Sequence, residues 1–280
     1  MNRHSPAGWD RRVASVAVLV ILVLTFGGCN KLKARDLLNQ GVQAYKNGLY
    51  DEAIEHFKKA RELDPKLITA QLYLATAYAS QYIPGAPSEE NISKGKRAID
   101  EFQNVLREDH NNLTAIDHIG SILFLMAGGP PFSPEKFEES KTYHMMHIRL
   151  KPEDPEPYYW VGVIDWTLAY RANVEIRREY NKANIRKQIK DEDPLPGKYR
   201  EDYTAKYQDM VEEGIKELDI ALKLRPDYED AMAYLNFLYR RKADMVESAE
   251  ERARLTKQAD DLLDKVKEIK QQKANQPQKS

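Results

Sequence analysis

Residues 37–65 read LLNQGVQAYKNGLYDEAIEHFKKARELDP, and this stretch decides the fold. Its apolar residues recur at the three- and four-residue spacing of an amphipathic helix. The same periodicity continues along the chain, where glycine and proline mostly separate the periodic segments. No segment alternates between apolar and polar residues as a half-buried strand would. The sequence therefore predicts an all-α protein.

Eight residues of this stretch stand in one frame: Leu37, Gly41, Gly48, Tyr50, Ala53, Phe57, Ala60 and Pro65. The frame resembles the tetratricopeptide repeat (TPR), a helix-turn-helix unit of about 34 residues. The resemblance implies that Gly41 and Ala53 are small because two helices cross closely there. It also implies that Pro65 follows the second helix, which proline cannot continue. Another amphipathic hairpin would share some of these residues, but eight matches in one frame favour the repeat.

The frame recurs with insertions, and the small residues that mark the later units are Ala75 with Ala98, Gly120 with Ser140, and Gly162 with Gly214. The longer spacing within these pairs predicts insertions at about residues 82–93, 127–134 and 172–211. The first two contain glycine and proline and should be loops, whereas the third should be a helical excursion.

A fifth unit should begin near Asp227 and end in a charged capping helix at about residues 247–271. By resemblance, residues 34–271 form a TPR-like α-solenoid, a right-handed superhelix of helical hairpins with a helical insertion and a C-terminal capping helix. Residues 272–280 are predicted to be a disordered tail.

Residues 1–28 resemble a bacterial lipoprotein signal peptide. Three arginines precede an uncharged aliphatic run at residues 13–26, which is shorter than the roughly 20 apolar residues that span a membrane. Two glycines then lead to Cys29, as in a lipobox, whose cysteine is acylated and becomes the mature N-terminus. Phe26 departs from the leucine or small aliphatic residue usual there. An uncleaved membrane anchor and an ordinary secretory signal remain alternatives.

The lipoprotein resemblance implies an exported protein that faces the periplasm. Residues 29–33 would form a lipidated tether, and Asn30 after the cysteine favours the outer membrane. Loss of residues 1–28 removes three arginines and one aspartate, which leaves 40 basic and 43 acidic residues. A body with this small acidic excess has no overall attraction for nucleic acid. The single cysteine excludes an internal disulfide framework.

TPR proteins bind peptide segments or partner proteins on the face lined by the first helix of each unit. Carrying the frame over places nine candidate residues of a partner-binding groove on that face: Tyr45, Leu72, Asp117, Phe124, Tyr159, Trp166, Phe237, Arg240 and Arg241. Aromatic residues and arginine are the types enriched at binding hot spots. Burial of Tyr159 and Trp166 under the long insertion remains the alternative for those two residues.

The long insertion also carries a basic stretch, expected on an extension of the fourth unit's first helix: Arg177, Arg178, Lys182, Arg186, Lys187 and Lys190. Such a stretch suits anionic headgroups, an acidic glycan or an acidic partner. A solvated helix balanced by the nearby acidic residues is the alternative.

His144 and His147 are three residues apart, which suggests a metal site, but both occupy packing positions of the repeat and no third ligand is indicated. We therefore predict no metal site and no cofactor. No phosphate loop, nucleophile elbow or zinc-binding histidine pair is found either, and the sequence predicts no enzyme.

These features together predict a non-catalytic, lipid-anchored scaffold that binds an envelope protein or peptide and serves assembly, secretion or transport. The alternative is a periplasmic ligand-binding accessory of a solute transporter, with a pocket formed by the TPR groove and residues 172–211.

Overall fold

The computed structural model describes residues 29–275, and within that range the chain forms helices and no strand. The helices are α1 (29–46), α2 (Tyr50–Leu63), α3 (Ile68–Ala79), α4 (Glu89–Glu108), α5 (Leu113–Ala127), α6 (Pro134–Leu150), α7 (Pro155–Ala183), α8 (Gly197–Leu224), α9 (Glu229–Ala243) and α10 (Ala249–Asn275). The predicted all-α class and the succession of helical hairpins are confirmed. The chain divides into two compact units, and the boundary along the sequence falls within α5, between Ala115 and Ile116.

The first unit contains the hairpins α1–α2 and α3–α4. A Cβ atom placed on Gly41 would lie 2.5 Å from the ring of Phe57, so the two helices cross at van der Waals contact, as the repeat frame implies. Ala53, Phe57 and Ala60 are fully buried on the face of α2 that packs in this hairpin.

The connection between α3 and α4 is the first predicted insertion. α4 begins at Glu89, so the final residues of the range 82–93 belong to the helix rather than to the loop. The Asn91 side chain organises the loop, because it accepts from Ile83 N at 2.7 Å and donates to Ile83 O at 2.7 Å and to Ala86 O at 3.0 Å. A buried asparagine thus supplies the hydrogen bonds that an ordered loop backbone requires.

The second unit contains the remainder of α5 and the helices α6 to α10. The loop before α6 ends at Ser133, whose side chain accepts from Lys136 N, with Pro134 as the first helical residue. The third insertion lengthens both α7 and α8 to 29 and 28 residues. They cross closely at Gly162, where an added Cβ would lie 2.4 Å from Leu218 Cγ.

Both ends of the described chain are helical. Residues 29–33, the predicted tether, lie in α1, and their lipidation stays a prediction. Residues 272–275, the described part of the predicted disordered tail, are helical because α10 continues to Asn275. The predicted signal peptide and residues 276–280 lie outside the described residues. Within 29–275, no helix combines the length and the hydropathy needed to cross a membrane.

Candidate partner-binding surface

The first helices of the last two repeats, α7 and α9, lie side by side and run in the same direction. The rings of Tyr159 and Tyr234 lie 5.7 Å apart near the start of both helices, and those of Trp166 and Phe237 lie 5.3 Å apart further along. We call the face that these side chains cover the α7–α9 surface. Parallel first helices are what the repeat frame requires, so a shared face is a direct consequence of the repeat.

A cavity of about 280 Å³ opens in this surface. Its lining is Trp166, Tyr170, Phe237, Arg240 and Arg241, four of which the sequence placed in the groove. The rings of Trp166 and Tyr170 are stacked at 5.1 Å with an interplanar angle of 14°. Tyr170 and Phe237 are each 39% exposed. Large aromatic side chains that remain this exposed around a cavity are characteristic of a binding surface.

The two arginines of the cavity pair with side chains outside its lining. Arg241 Nη1 donates to Asn173 Oδ1 at 2.6 Å and lies 3.2 Å from Asp244 Oδ2. Its guanidinium carbon is 5.7 Å from the centre of the Tyr170 ring. Arg240 Nη2 donates to Asp260 Oδ1 of α10 at 2.6 Å. Arg241 is therefore held by buried contacts, whereas the Arg240–Asp260 ion pair is exposed to solvent.

Arg177 is not part of a basic surface patch, contrary to the sequence prediction. Its side chain is 4% exposed, and Nη2 donates to Asp244 Oδ1 at 2.7 Å. Nε donates to Asn173 Oδ1, and Nη1 donates to the carbonyls of Lys190 and Asp193. This buried cluster, which we call the Arg177 clamp, fastens the segment after α7 to the end of α9.

The other five basic residues do not share one helix. α7 ends at Ala183, so Arg186, Lys187 and Lys190 lie in the non-helical segment 184–196. Arg178 is exposed and pairs with Glu175 on its own helix. The predicted helical patch is thus wrong, because a charge run does not reveal where a helix ends or which side faces inward.

The remaining groove candidates are spread over other contacts. In the first unit the Tyr45 hydroxyl is hydrogen-bonded to Ser80 Oγ at 2.9 Å, and Leu72 is half-buried. In the second unit Asp117 Oδ1 lies 2.6 Å from His147 Nδ1. Phe124 packs against Phe137 and Trp160, with ring centres 5.2 Å apart in both pairs: its ring is part of the core rather than of an open groove.

Tyr159 occupies the opposite end of the α7–α9 surface from the arginines. Its ring contacts Tyr228 at 5.0 Å as well as Tyr234. Burial raises the pKa of Tyr159 far above its ordinary value, with further contributions from Tyr234 and Asp230. Tyr159 is thus half-buried packing at the edge of the surface, and Trp166 is the more accessible to a partner through the cavity that it lines.

A second cavity, of about 440 Å³, lies on the opposite side of α7. It is lined by Phe132, Pro134, Glu138, Leu168, Arg171, Ala172, Glu175, Lys206, Tyr207 and Met210. With 3.6 residues per turn, Leu168 and Ala172 point away from Trp166 and Tyr170. The long insertion therefore contributes to this cavity together with α6, on the side of α7 away from the α7–α9 surface.

An ionic triad around the buried Asp165 stands one helical turn from the second cavity, and sequence reasoning missed it. Lys141 Nζ on α6 donates to Asp165 Oδ1 at 2.7 Å and to Glu213 Oε2 at 2.6 Å. Burial raises the pKa of Asp165 to about 7, although Lys141 opposes the shift. The sequence did contain a signal for the burial of Asp165. Asp165 lies three residues after Gly162, and this spacing puts it on the face of α7 that packs against α8.

The histidine pair of α6 serves packing. His144 is 3% exposed and stacks on Trp160 with ring centres 5.9 Å apart. Burial lowers the pKa of His144 to about 4, so the ring is neutral at ordinary pH. Across residues 29–275, no three His, Cys, Asp or Glu side chains group as metal ligands.

Comparisons with known proteins support the fold. Residues 34–67 match the family model of the tetratricopeptide repeat. The MamA RS-1 ArsTM double mutant is 17% identical, with 87% of this chain and 98% of that chain covered and a TM-score of 0.56. MamA 41-end from Desulfovibrio magneticus RS-1 is 17% identical over 89% and 98% of the two chains, with a TM-score of 0.55.

A crystal structure of MamA protein is 14% identical, covers 84% of this chain and 94% of that chain, and has a TM-score of 0.54. No curated protein matches the sequence. At these identities the likeness concerns the fold alone. The described chain thus has a TPR-like α-solenoid fold, and its residues 34–67 match a tetratricopeptide repeat.

Proposed function

We propose that this protein is a non-catalytic scaffold that binds another envelope protein through the α7–α9 surface. The observation that carries the proposal is the cavity of about 280 Å³, in which three aromatic rings and two arginines converge on one face of parallel helices. Tryptophan, tyrosine and arginine are the residues that most often dominate the energy of protein–protein interfaces.

The open surface around the cavity favours a protein partner over a small molecule. At about 280 Å³ the cavity lies at the lower limit of small-molecule sites, which enclose about 300–1,000 Å³, and it has room for one large side chain. The surrounding surface supplies the further area that a protein partner needs, because Tyr170, Val174 and Phe237 are each 39% exposed beside it. Trp166 and Tyr170 lose little conformational entropy on binding, because their rings are already stacked on each other.

The proposal includes export and lipid attachment at Cys29, with the body facing the periplasm from the outer membrane. The support is the arrangement of basic residues, apolar run and glycines before the cysteine, together with the exposure of Cys29 in the structure. A lipid tether confines the scaffold to a surface and raises its effective concentration toward partners there. Mass spectrometry of the mature N-terminus tests this part, since an unmodified or internal Cys29 would contradict it.

In-cell crosslinking followed by affinity capture tests the scaffold itself. Phe237→Ala should reduce the recovery of specific envelope proteins, because it removes an exposed ring from the cavity. Leu224→Ala is the matched control, since Leu224 is 40% exposed at the end of α8 and does not line the cavity. Equal recovery with both variants, at unchanged helicity, would contradict binding through this surface.

A second candidate function rests on the other cavity, of about 440 Å³. This volume lies in the range of small-molecule sites, and its floor is apolar, with Leu168 buried and Phe132 and Met210 half-buried. A ligand-binding accessory of a solute transporter would use it. A thermal-shift screen of small molecules tests this candidate: a hit should be lost in Met210→Asp and kept in Phe237→Ala.

A further inference from the structure

Charge is distributed unevenly along the α7–α9 surface. At the start of the two helices stand acidic side chains, and Asp230 is close enough to raise the pKa of both Tyr159 and Tyr234 beyond the effect of burial. Glu156, in the first turn of α7, binds Arg225 at 2.8 Å and accepts from the Tyr228 hydroxyl at 2.7 Å. This end of the surface therefore carries Asp230, the Glu156–Arg225 ion pair and tyrosine side chains.

The other end of the same surface is basic. The cavity has two arginines and no acidic side chain in its lining. Asp260, which pairs with Arg240, is 57% exposed, and an exposed ion pair of this kind exchanges readily because it contributes little free energy. Arg241 keeps its buried contacts to Asn173 and Asp244 and adds positive charge next to the Tyr170 ring. A partner carboxylate that approaches this end meets complementary charge.

We propose that the occupant of the cavity is an acidic segment of a partner protein, with one large apolar side chain between Trp166 and Phe237 and an aspartate or glutamate against Arg240. The inference rests on the proposed scaffold function and adds the chemistry of the partner. The aromatic walls select the apolar side chain, and the arginines select its acidic neighbour. A lysine or arginine in that neighbouring position meets like charge and is excluded.

Separate substitutions test the apolar contact and the charged contact with the partner. Phe237→Ala removes one wall of the cavity, and loss of a central hot-spot side chain weakens binding by about thirtyfold or more. Arg240→Glu reverses the charge at the basic end, while Asp260 remains solvated. Binding of an acidic segment should also weaken as salt is raised, because the arginine that it meets is partly exposed.

Selection from a random peptide display library on the full chain tests the proposal without knowledge of the partner. The peptides enriched on the unmodified protein should share an aromatic or branched aliphatic residue next to aspartate or glutamate. Phe237→Ala should abolish this enrichment, and Arg240→Glu should shift it from acidic to basic neighbours. Leu224→Ala should enrich the same peptides as the unmodified protein.

Enrichment of basic peptides, of peptides without a large apolar residue, or of no peptide at all would overturn the acidic-segment proposal. So would an acidic enrichment that persists in Phe237→Ala. The crosslinking experiment separates this failure from failure of the scaffold function. If Phe237→Ala still reduces the capture of envelope proteins, the scaffold stands and only the acidic segment is rejected.

Discussion

Replacing Arg177 by alanine should lower the free energy of unfolding by about 3–5 kcal/mol, the range measured when one partner of a buried ion pair is removed. The side chain is 4% exposed and makes hydrogen bonds of 2.6 to 2.9 Å to Asn173, Asp244 and the carbonyls of Lys190 and Asp193. The loss should fall near the lower end, because Asp244 retains the Asn173 amide at 3.1 Å and Arg241 at 3.2 Å.

The adjacent residue provides a matched control. Arg178 is 74% exposed and pairs only with Glu175 among its described contacts, so Arg178→Ala should change the free energy of unfolding by no more than about 1 kcal/mol. Urea unfolding followed by far-ultraviolet circular dichroism measures both values. Equal effects of the two substitutions would refute the Arg177 clamp and restore the surface patch that the charge run suggests.

Two further predictions concern the helix crossings. Gly162→Ala places a Cβ 2.4 Å from Leu218 Cγ and should lower the free energy of unfolding, measured in urea, by about 1–3 kcal/mol. Gly129→Ala, whose Cβ would have its nearest contact at 3.5 Å, should lower it much less. Equal losses of stability would contradict the close crossing of α7 and α8. Burial raises the pKa of Asp165 from 3.8 to about 7. Between pH 3.8 and about 7, Asp165 is therefore protonated in the folded state and ionised in the unfolded state. The free energy of unfolding should therefore rise as pH falls from about 8 to 5. Asp165→Asn should remove this contribution to the pH dependence of stability. Urea unfolding midpoints of both proteins at about pH 8 and pH 5 measure the effect.

The α7–α9 surface could be predicted from the sequence because the repeat frame fixes which side of each first helix faces its neighbours. Trp166 and Phe237 hold equivalent positions in adjacent units, so their meeting follows from repeat geometry once the frame is aligned. The prediction needed neither the length nor the path of the insertion between them.

The burial of Arg177 was not predicted by the same reasoning. It lies 11 residues after Trp166, close to three full turns, and therefore on the same side of α7. That spacing places Arg177 in line with the α7–α9 surface and does not predict burial, and the surrounding run of basic residues suggested a solvated face. Its partner Asp244 lies 67 residues away, and nothing local in the sequence shows that the two charges meet.

The helix end at Ala183 and the loop hydrogen bonds of Asn91 were also beyond sequence reasoning. No glycine or proline follows α7 directly, and the chain leaves the helix where the Arg177 clamp binds the carbonyls of Lys190 and Asp193. Asn91 resembles any polar residue in the first turn of a helix until its contacts to Ile83 and Ala86 are seen. Both features depend on tertiary contacts, which helical periodicity does not encode.

Site-specific photo-crosslinking tests the central claim most directly. A photoreactive phenylalanine derivative in place of Phe237, in cells that express the full chain, should give a discrete crosslinked adduct with an envelope protein. The same derivative in place of Leu224, which is equally exposed but outside the cavity, should give none. Absence of an adduct at position 237, or identical adducts at both positions, would contradict partner binding through the α7–α9 surface.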